Sequence, residues 1–165
     1  MRWTVVSTPY TELLVAADDA GVCRVGLGYR PDRPHRSGIR DDDHPVLCEA
    51  AAQLTGYAAG ELTEFTLPLS IRHGSGFERS VWDALCEIPY GETRSYGAIA
   101  KRLGDPDAAR AVGVANNRNP IAIVIPCHRV IGADGKLVGY GGGLDLKRRL
   151  LELEARVTIE RDFAF

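Results

Sequence analysis

Apolar residues recur with two different periods along this chain, and the change of period divides it. In the first part, Trp3–Thr8, Glu12–Ala17 and Val22–Tyr29 are short runs rich in β-branched residues. Ser7-Thr8-Pro9-Tyr10 and Asp18-Asp19-Ala20-Gly21 separate them with turn-forming residues, so the three runs predict an antiparallel meander. Residues 30–44, RPDRPHRSGIRDDDH, combine Pro, Gly and charge with almost no apolar content, which predicts a mobile loop. Pro45 suits the first position of a helix over Val46–Ala58 that Gly60 stops. Phe65–Ile71 alternates, with Phe65, Leu67, Leu69 and Ile71 apolar, and predicts one more strand.

From Phe77 onward the period becomes helical. Phe77, Val81 and Leu85 recur at i, i+4 and i+8, predicting a helix over 77–87 that ends before Pro89-Tyr90-Gly91. Ser95 is placed to cap a second helix, Tyr96–Leu103, which Gly104 closes. Asp107 is placed to cap a third, Ala108–Asn117, whose Ala108, Ala111, Val112 and Ala115 share one apolar face. The short turn between these two helices predicts a helix-turn-helix. Ile121–Ile125 reads as a buried, strand-like run leading into Pro126-Cys127-His128-Arg129-Val130. A glycine-rich loop, Gly132 to Gly143, and a last helix, Asp145–Arg156, complete the pattern.

Composition adds bounds to this picture. The 165 residues are 45% hydrophobic and 25% charged, ordinary for a globular protein that buries a core. No apolar run reaches the ~18 residues of a membrane span, and MRWTVVSTPY lacks the apolar stretch of a signal peptide. A cytoplasmic location with no membrane partner is therefore expected, and the four scattered cysteines read as free thiols. The formal charge of −2 excludes a generically basic nucleic-acid coat. Residues 1–75 hold 7 basic and 10 acidic side chains, net −3, and residues 76–165 hold 13 and 12, net +1. The second part is thus the better place to look for a nucleic-acid partner.

The face of helix 108–117 opposite its apolar side carries Arg110, Gly113, Val114 and Asn117. Small residues let a helix backbone approach a minor groove about 6 Å wide, and one Arg near the helix start could enter the duplex. An Ala-rich core helix with one surface Arg fits the same residues. Cys127-His128 is the second signal. A thiol attacks only as thiolate and needs a nearby base, which in turn needs an orienting carboxylate. Neighbouring residues on an extended chain point apart, so His128 would act through a water, or the chain would bend sharply. Lys147 and Glu154 lie two turns apart on one face of the last helix, beside the apolar stripe Leu146, Leu150 and Leu153. Glu154 could turn inward to hold His128, or the two could form a solvated charge pair. Gly139-Tyr140-Gly141-Gly142-Gly143 lacks the spacing of a dinucleotide fingerprint. It suits either a linker or a loop whose N–H groups approach a flat ligand with Tyr140 stacked on it.

Together, several ordered motifs resemble the O6-alkylguanine-DNA alkyltransferases, also called methylated-DNA–protein-cysteine methyltransferases. They are Ile88-Pro89-Tyr90-Gly91-Glu92-Thr93-Arg94-Ser95-Tyr96-Gly97, Ala109-Arg110-Ala111-Val112-Gly113, Asn119-Pro120, Ile125 to Val130, and Tyr140-Gly141-Gly142-Gly143. The resemblance runs from Phe77 to about Glu154; in the first part, Tyr57-Ala58-Ala59-Gly60-Glu61-Leu62 is the best-matching stretch. It implies an α+β chain: a small ribonuclease-H-like domain over 1–75 and a helical, winged-helix-like domain with a helix-turn-helix over 76–165. The implied activity is single-turnover, suicide transfer of the alkyl group of O6-alkylguanine, and of O4-alkylthymine, in double-stranded DNA to Cys127.

By the same resemblance, His128 takes the thiol proton through a water while Glu154 orients it. Tyr96, helped by Lys147, protonates the leaving base, and Asn119 ties the helix-turn-helix to the active-site segment. Arg110 fills the gap left by a flipped nucleotide from a helix laid in the minor groove, where Ala109 and Gly113 allow close approach. Tyr96, Gly97, Val130, Tyr140 and Gly141 border the base, with the Gly141 N–H on O6 and the carbonyls of Cys127 and Val130 on the guanine amino group. No cofactor is implied, because the lesion is the donor. No metal is expected, since no ligand set matches Cys23, Cys48, His35, His44 and His73. A monomer is expected, with cooperativity on DNA left open. Position 141 is Ser in some relatives; Gly keeps the backbone donor and loses a hydroxyl. The alternatives are an alkyltransferase-like protein that binds lesions without transfer, against which Cys127 argues, and a Cys-His hydrolase, which would need an oxyanion hole.

Overall fold

In the computed structural model, which describes residues 1–33 and 35–164, the chain forms two compact units. One comprises Met1–Arg72 with Pro120–Val124, the other His73–Asn119 with Ile125–Phe165. The sequence pattern suggested one boundary after residue 75; the five-residue excursion at 120–124 is an addition to it.

The first unit is built on the meander β1 (Arg2–Ser7), β2 (Glu12–Asp18) and β3 (Gly21–Leu27), antiparallel throughout. A two-residue strand, β4 (Ile39–Arg40), adds parallel to β1, giving the order β3-β2-β1-β4. Thus the segment read as a loop over 30–44 contributes an edge strand; Pro34 within it lies outside the described residues. Leu13 to Ala17 of β2 are all buried, as a strand covered on both faces must be. Trp3, Leu14, Ala16 and Cys23 cluster on one face, and α1 (Pro45–Ala58) packs on the sheet through Leu47, Ala50, Leu54 and Tyr57.

Phe65–Ile71 does not form the expected strand. It runs beside β3 and makes a single bridge, Val22 to Leu69, because Pro68 has no N–H to extend a ladder. Pro120–Ala122 covers a further length of the same edge, where the Val25 N–H donates to Pro120 and the Ala122 N–H to Val25. The apolar run Ile121–Ile125 is buried but is no regular strand. The Val124 N–H turns back onto the Ala122 carbonyl, with Ile123 at φ 71, a conformation that a β-branched residue rarely adopts.

The second unit is helical. α2 (Gly76–Cys86) starts at a capping box in which Ser75 and Glu78 bond each other's backbone N–H. Its Trp82 is buried and donates to the Ala115 carbonyl of α4 (Ala109–Asn117). Between them α3 (Tyr96–Arg102) begins at Ser95, whose hydroxyl accepts from the Ala98 N–H, and Gly104 at φ 86 follows its end. Asp107 does not cap α4. Ala108 takes that position without a side-chain bond, and the Asp105 carboxylate occupies the Asp107 N–H. Val112, Ala115 and Asn116 form the buried face of α4, while Ala111 is exposed.

Two short strands escaped the periodicity, β5 (Arg94–Ser95) and β6 (Val130–Ile131), which pair in parallel. α5 (Leu144–Asp162) outruns its expected end by six residues and docks through Leu146, Leu150, Leu153 and Val157.

Candidate active site

The site lies wholly within the second unit and starts from the bend at Pro126. With φ −82 and ψ 64, Pro126 is the centre of an inverse γ-turn closed by the Cys127 N–H on the Ile125 carbonyl, 2.8 Å. A single 3-10 turn, Cys127–Arg129, follows at once, so the sharp bend replaces the extended geometry that would have sent Cys127 and His128 apart. The pairing of β5 with β6 then sets the chain entering Tyr96 beside the chain leaving Cys127.

Cys127 is 5% exposed and His128 fully buried. His128 Nε2 meets Glu154 Oε2 at 2.5 Å, and Glu154 is also fully buried. Arg129 closes a fork on the same carboxylate, Nε to Oε1 at 2.7 Å and Nη2 to Oε2 at 3.2 Å. The Gly91 N–H adds a fourth bond, 3.1 Å to Oε1. Burial by itself raises the carboxyl pKa, but the bonds from His128 and Arg129 outweigh it and bring it down to about 2. Burial lowers the His128 pKa, and Glu154 offsets this only in part. The pair that results is an ionised Glu154 and a neutral His128. Its Nε2–H donates to the carboxylate, which leaves Nδ1 as the basic nitrogen.

Around the sulfur stand Tyr140, Tyr96 and Lys147. The Tyr140 hydroxyl is buried and faces the Cys127 thiol; burial first, and the sulfur next, push its pKa well above the usual tyrosine value. Burial also raises Tyr96 and lowers Lys147, and both sense Cys127 electrostatically. Lys147 is fully buried, with Nζ 5.8 Å from the Tyr96 ring centre. Nζ and the Tyr96 hydroxyl donate to one acceptor, the Val138 carbonyl, at 3.0 and 2.9 Å. The solvated Lys147–Glu154 pair is therefore excluded. Both residues turn inward, each to a different partner.

Two asparagines hold the reactive segment from the helix-turn-helix side. Asn119 Nδ2 donates to the Ile125 carbonyl at 2.7 Å, and Asn116 Nδ2 to the Cys127 carbonyl at 3.3 Å. On α4, Arg110 and Val114 are exposed, Ala109 is half-buried, and Gly113 lies where an added Cβ would be 3.8 Å from the Tyr96 ring. Gly97 is half-buried, Val130 buried and Gly141 exposed with nothing near its α-carbon face.

Sequence reasoning missed Arg129, Asn116 and Gly91. Arg129 carried a signal, a charge inside an otherwise apolar motif, and the buried fork explains it. Among the described residues, no three His, Cys, Asp or Glu side chains converge as a metal-binding group.

The first unit, over residues 1–71, matches the ribonuclease-like domain of 6-O-methylguanine DNA methyltransferase, and residues 76–156 match the DNA-binding domain of the same family. The chain belongs to the 6-O-methylguanine DNA methyltransferase family. A methylated-DNA–protein-cysteine methyltransferase of Mycolicibacterium paratuberculosis is 52% identical over 156 residues, 94% of this chain and 93% of the relative. One from Methanosarcina acetivorans is 49% identical, covering 93% and 98%. The crystal structure of Mycobacterium tuberculosis OGT in complex with DNA superposes with a TM-score of 0.85 at 47% identity, covering 95% and 94%. The α+β fold of this methyltransferase family is thus shared over nearly the whole chain, and no helix among the described residues is long and apolar enough to cross a membrane.

Proposed function

We propose that this protein repairs double-stranded DNA in the cytoplasm by moving the alkyl group from O6 of guanine, and from O4 of thymine, onto Cys127, once per molecule. The observation that carries the reading is the neutral His128 fixed by Glu154 next to a cysteine in a sharp turn. His128 Nδ1, through a water, takes the Cys127 proton. The sulfur attacks the alkyl carbon in line, the S–C bond forms, and the C–O6 pair returns to the base. Guaninate leaves poorly without a proton, and Tyr96 supplies it. The incoming base replaces the Val138 carbonyl as the acceptor of the Tyr96 hydroxyl, while the buried Lys147 cation favours the phenolate that remains. The thioether has no easy reversal, so no second cycle follows.

Residues 76–165 carry both DNA binding and transfer in this reading. α4 enters the minor groove, with Arg110 in the gap of the flipped nucleotide and Ala109 and Gly113 at the closest approach. Gly97, Val130, Tyr140 and Gly141 border the extruded base, and the Gly141 N–H bonds O6. The protein acts as a monomer. Intact-protein mass after mixing with an excess of O6-methylguanine duplex tests the proposal. One methyl group per protein, located on Cys127, is expected, and Cys127→Ala should bind the lesion without gaining mass. Repeated turnover, or repair by Cys127→Ala, would refute it.

A further inference from the structure

The first unit holds a cavity of about 400 Å³ on the surface of its sheet, walled by Arg24, Arg30, Arg33, His35 and Arg36 over Tyr29. Its charge stands out against its surroundings. The first 75 residues are net −3, yet residues 24–36 hold four arginines against one aspartate. That aspartate, Asp32, is engaged by Arg30 at 3.0 Å. Arg24, Arg33 and Arg36 have no carboxylate within ion-pair distance among the described residues. His35 packs edge-on against Trp3, ring centres 5.6 Å apart, and its Nε2 is buried with no hydrogen-bond partner among the described residues. Gly26 lies under the Arg24 guanidinium, where an added Cβ would come within 3.4 Å of Nε. Three unneutralised guanidiniums around an open hollow form a set of donors that lacks an anion. Phosphate oxygens suit the guanidinium fork.

We infer that this arginine-lined cavity of the first unit binds phosphates of the nucleic-acid backbone, a contact separate from the helix-turn-helix. The guanidiniums come from a strand and from successive positions of one loop, an open array that suits successive phosphates better than one enclosed small anion. The inference rests on the proposed DNA function only for the choice of DNA as the phosphate source.

The test compares the wild type with an Arg24→Gln/Arg33→Gln/Arg36→Gln variant and its Arg→Lys counterpart. Anisotropy of an unmodified labelled duplex, titrated across salt, reads the phosphate contacts. Each contact contributes about 0.9 to the slope of log affinity against log salt, so the Gln variant should lower that slope by about 2 to 3. Its deficit against wild type should shrink as salt rises, and the Lys variant should recover most of the slope. Transfer from free O6-benzylguanine base, which has no backbone, reports the site chemistry independently. It should be equal in all three proteins, while transfer from duplex slows in the Gln variant at low salt. An unchanged salt slope overturns the inference and leaves the repair proposal standing, as does a loss that extends equally to the free base. Binding of inorganic pyrophosphate with duplex affinity unaffected by the substitutions would assign the cavity to a small anion and overturn it too.

Discussion

Replacing Glu154 by Gln tests the buried carboxylate hub directly, because it keeps the shape and removes one charge. Four bonds end on this carboxylate, two at each oxygen. In Glu154→Gln the amide oxygen can keep Gly91 and Arg129 Nε. The amide nitrogen then faces Arg129 Nη2, donor against donor, and leaves a guanidinium that is 7% exposed without its counter-charge. Breaking a buried pair in this way costs about 3–5 kcal/mol, a large share of the roughly 5–15 kcal/mol that holds a domain folded. At His128 the amide donates where the carboxylate accepted. The ring answers by accepting at Nε2 and moving its proton to Nδ1, the nitrogen proposed to take the thiol proton. Single-turnover transfer should slow by about 100-fold or more, the scale of a lost general base. Urea unfolding measures the first effect and quenched-flow transfer to Cys127 the second, at a temperature where the variant is folded. A folded Glu154→Gln protein whose transfer rate stays within about threefold of wild type would refute the role given to the His128 tautomer.

Acid should loosen the fold through the same residues. The Glu154 pKa is about 2 in the fold against an ordinary 4.5, so the unfolded chain takes up the proton first. About 3 kcal/mol of stability is therefore present above pH 4.5 and lost as pH falls towards 2, and the depressed His128 pKa starts a further loss below its ordinary 6.5, both readable by urea titration across pH. Gly91→Ala should destabilise by about 2 kcal/mol or more, measured as a lowered Tm. Gly91 sits at φ 81, and its new Cβ would meet the Thr158 hydroxyl, so adding Thr158→Ala should restore only part of the loss. Lys147→Met should separate stability from function. The buried ammonium has a lowered pKa, so its charge costs stability at every pH below 10.5, and its two acceptors, Val138 and Gly139, are exposed enough for water to replace it. An equal or higher Tm with transfer slowed by at least about tenfold is expected; an unchanged rate would remove Lys147 from the chemistry.

Features set by near neighbours were legible in the sequence. Ser95 and Gly104 delimit α3 as expected, whereas the two-turn spacing of Lys147 and Glu154 beside a leucine stripe left an inward turn and a solvated pair both open until their burial decided it. What failed depended on contacts distant in sequence or on single residues that override a pattern. Phe65–Ile71 alternates like a strand, yet one proline stops the ladder. Ile121–Ile125 has the composition of a strand, yet Ile123 at φ 71 folds it into a turn whose reward is the uncovered edge of β3. β5 and β6 are two residues each, too short to show a period, although they bring Tyr96 and Cys127 together. The Arg129 fork spans 25 residues, and the local signal for it, a charge inside an otherwise apolar motif, does not name the partner.

The hub also explains why such a costly arrangement sits in a small core. An apolar trio of similar volume in place of Arg129, Glu154 and His128 would hold the fold as well or better. Stability alone therefore gives no reason for these residues. What an apolar trio would lose is the direction of one proton. The bonds from His128 and Arg129 hold Glu154 ionised when burial would neutralise it, ionised Glu154 accepts from Nε2–H, and Nδ1 is left as the nitrogen proposed to take the thiol proton. Each residue sets the charge state of the next, which requires the whole set to be dry; water around it would weaken every one of these bonds. The same bonds join the turn after α2, the 3-10 turn and α5, so the segment that carries Cys127 is positioned by the groups proposed to govern its proton.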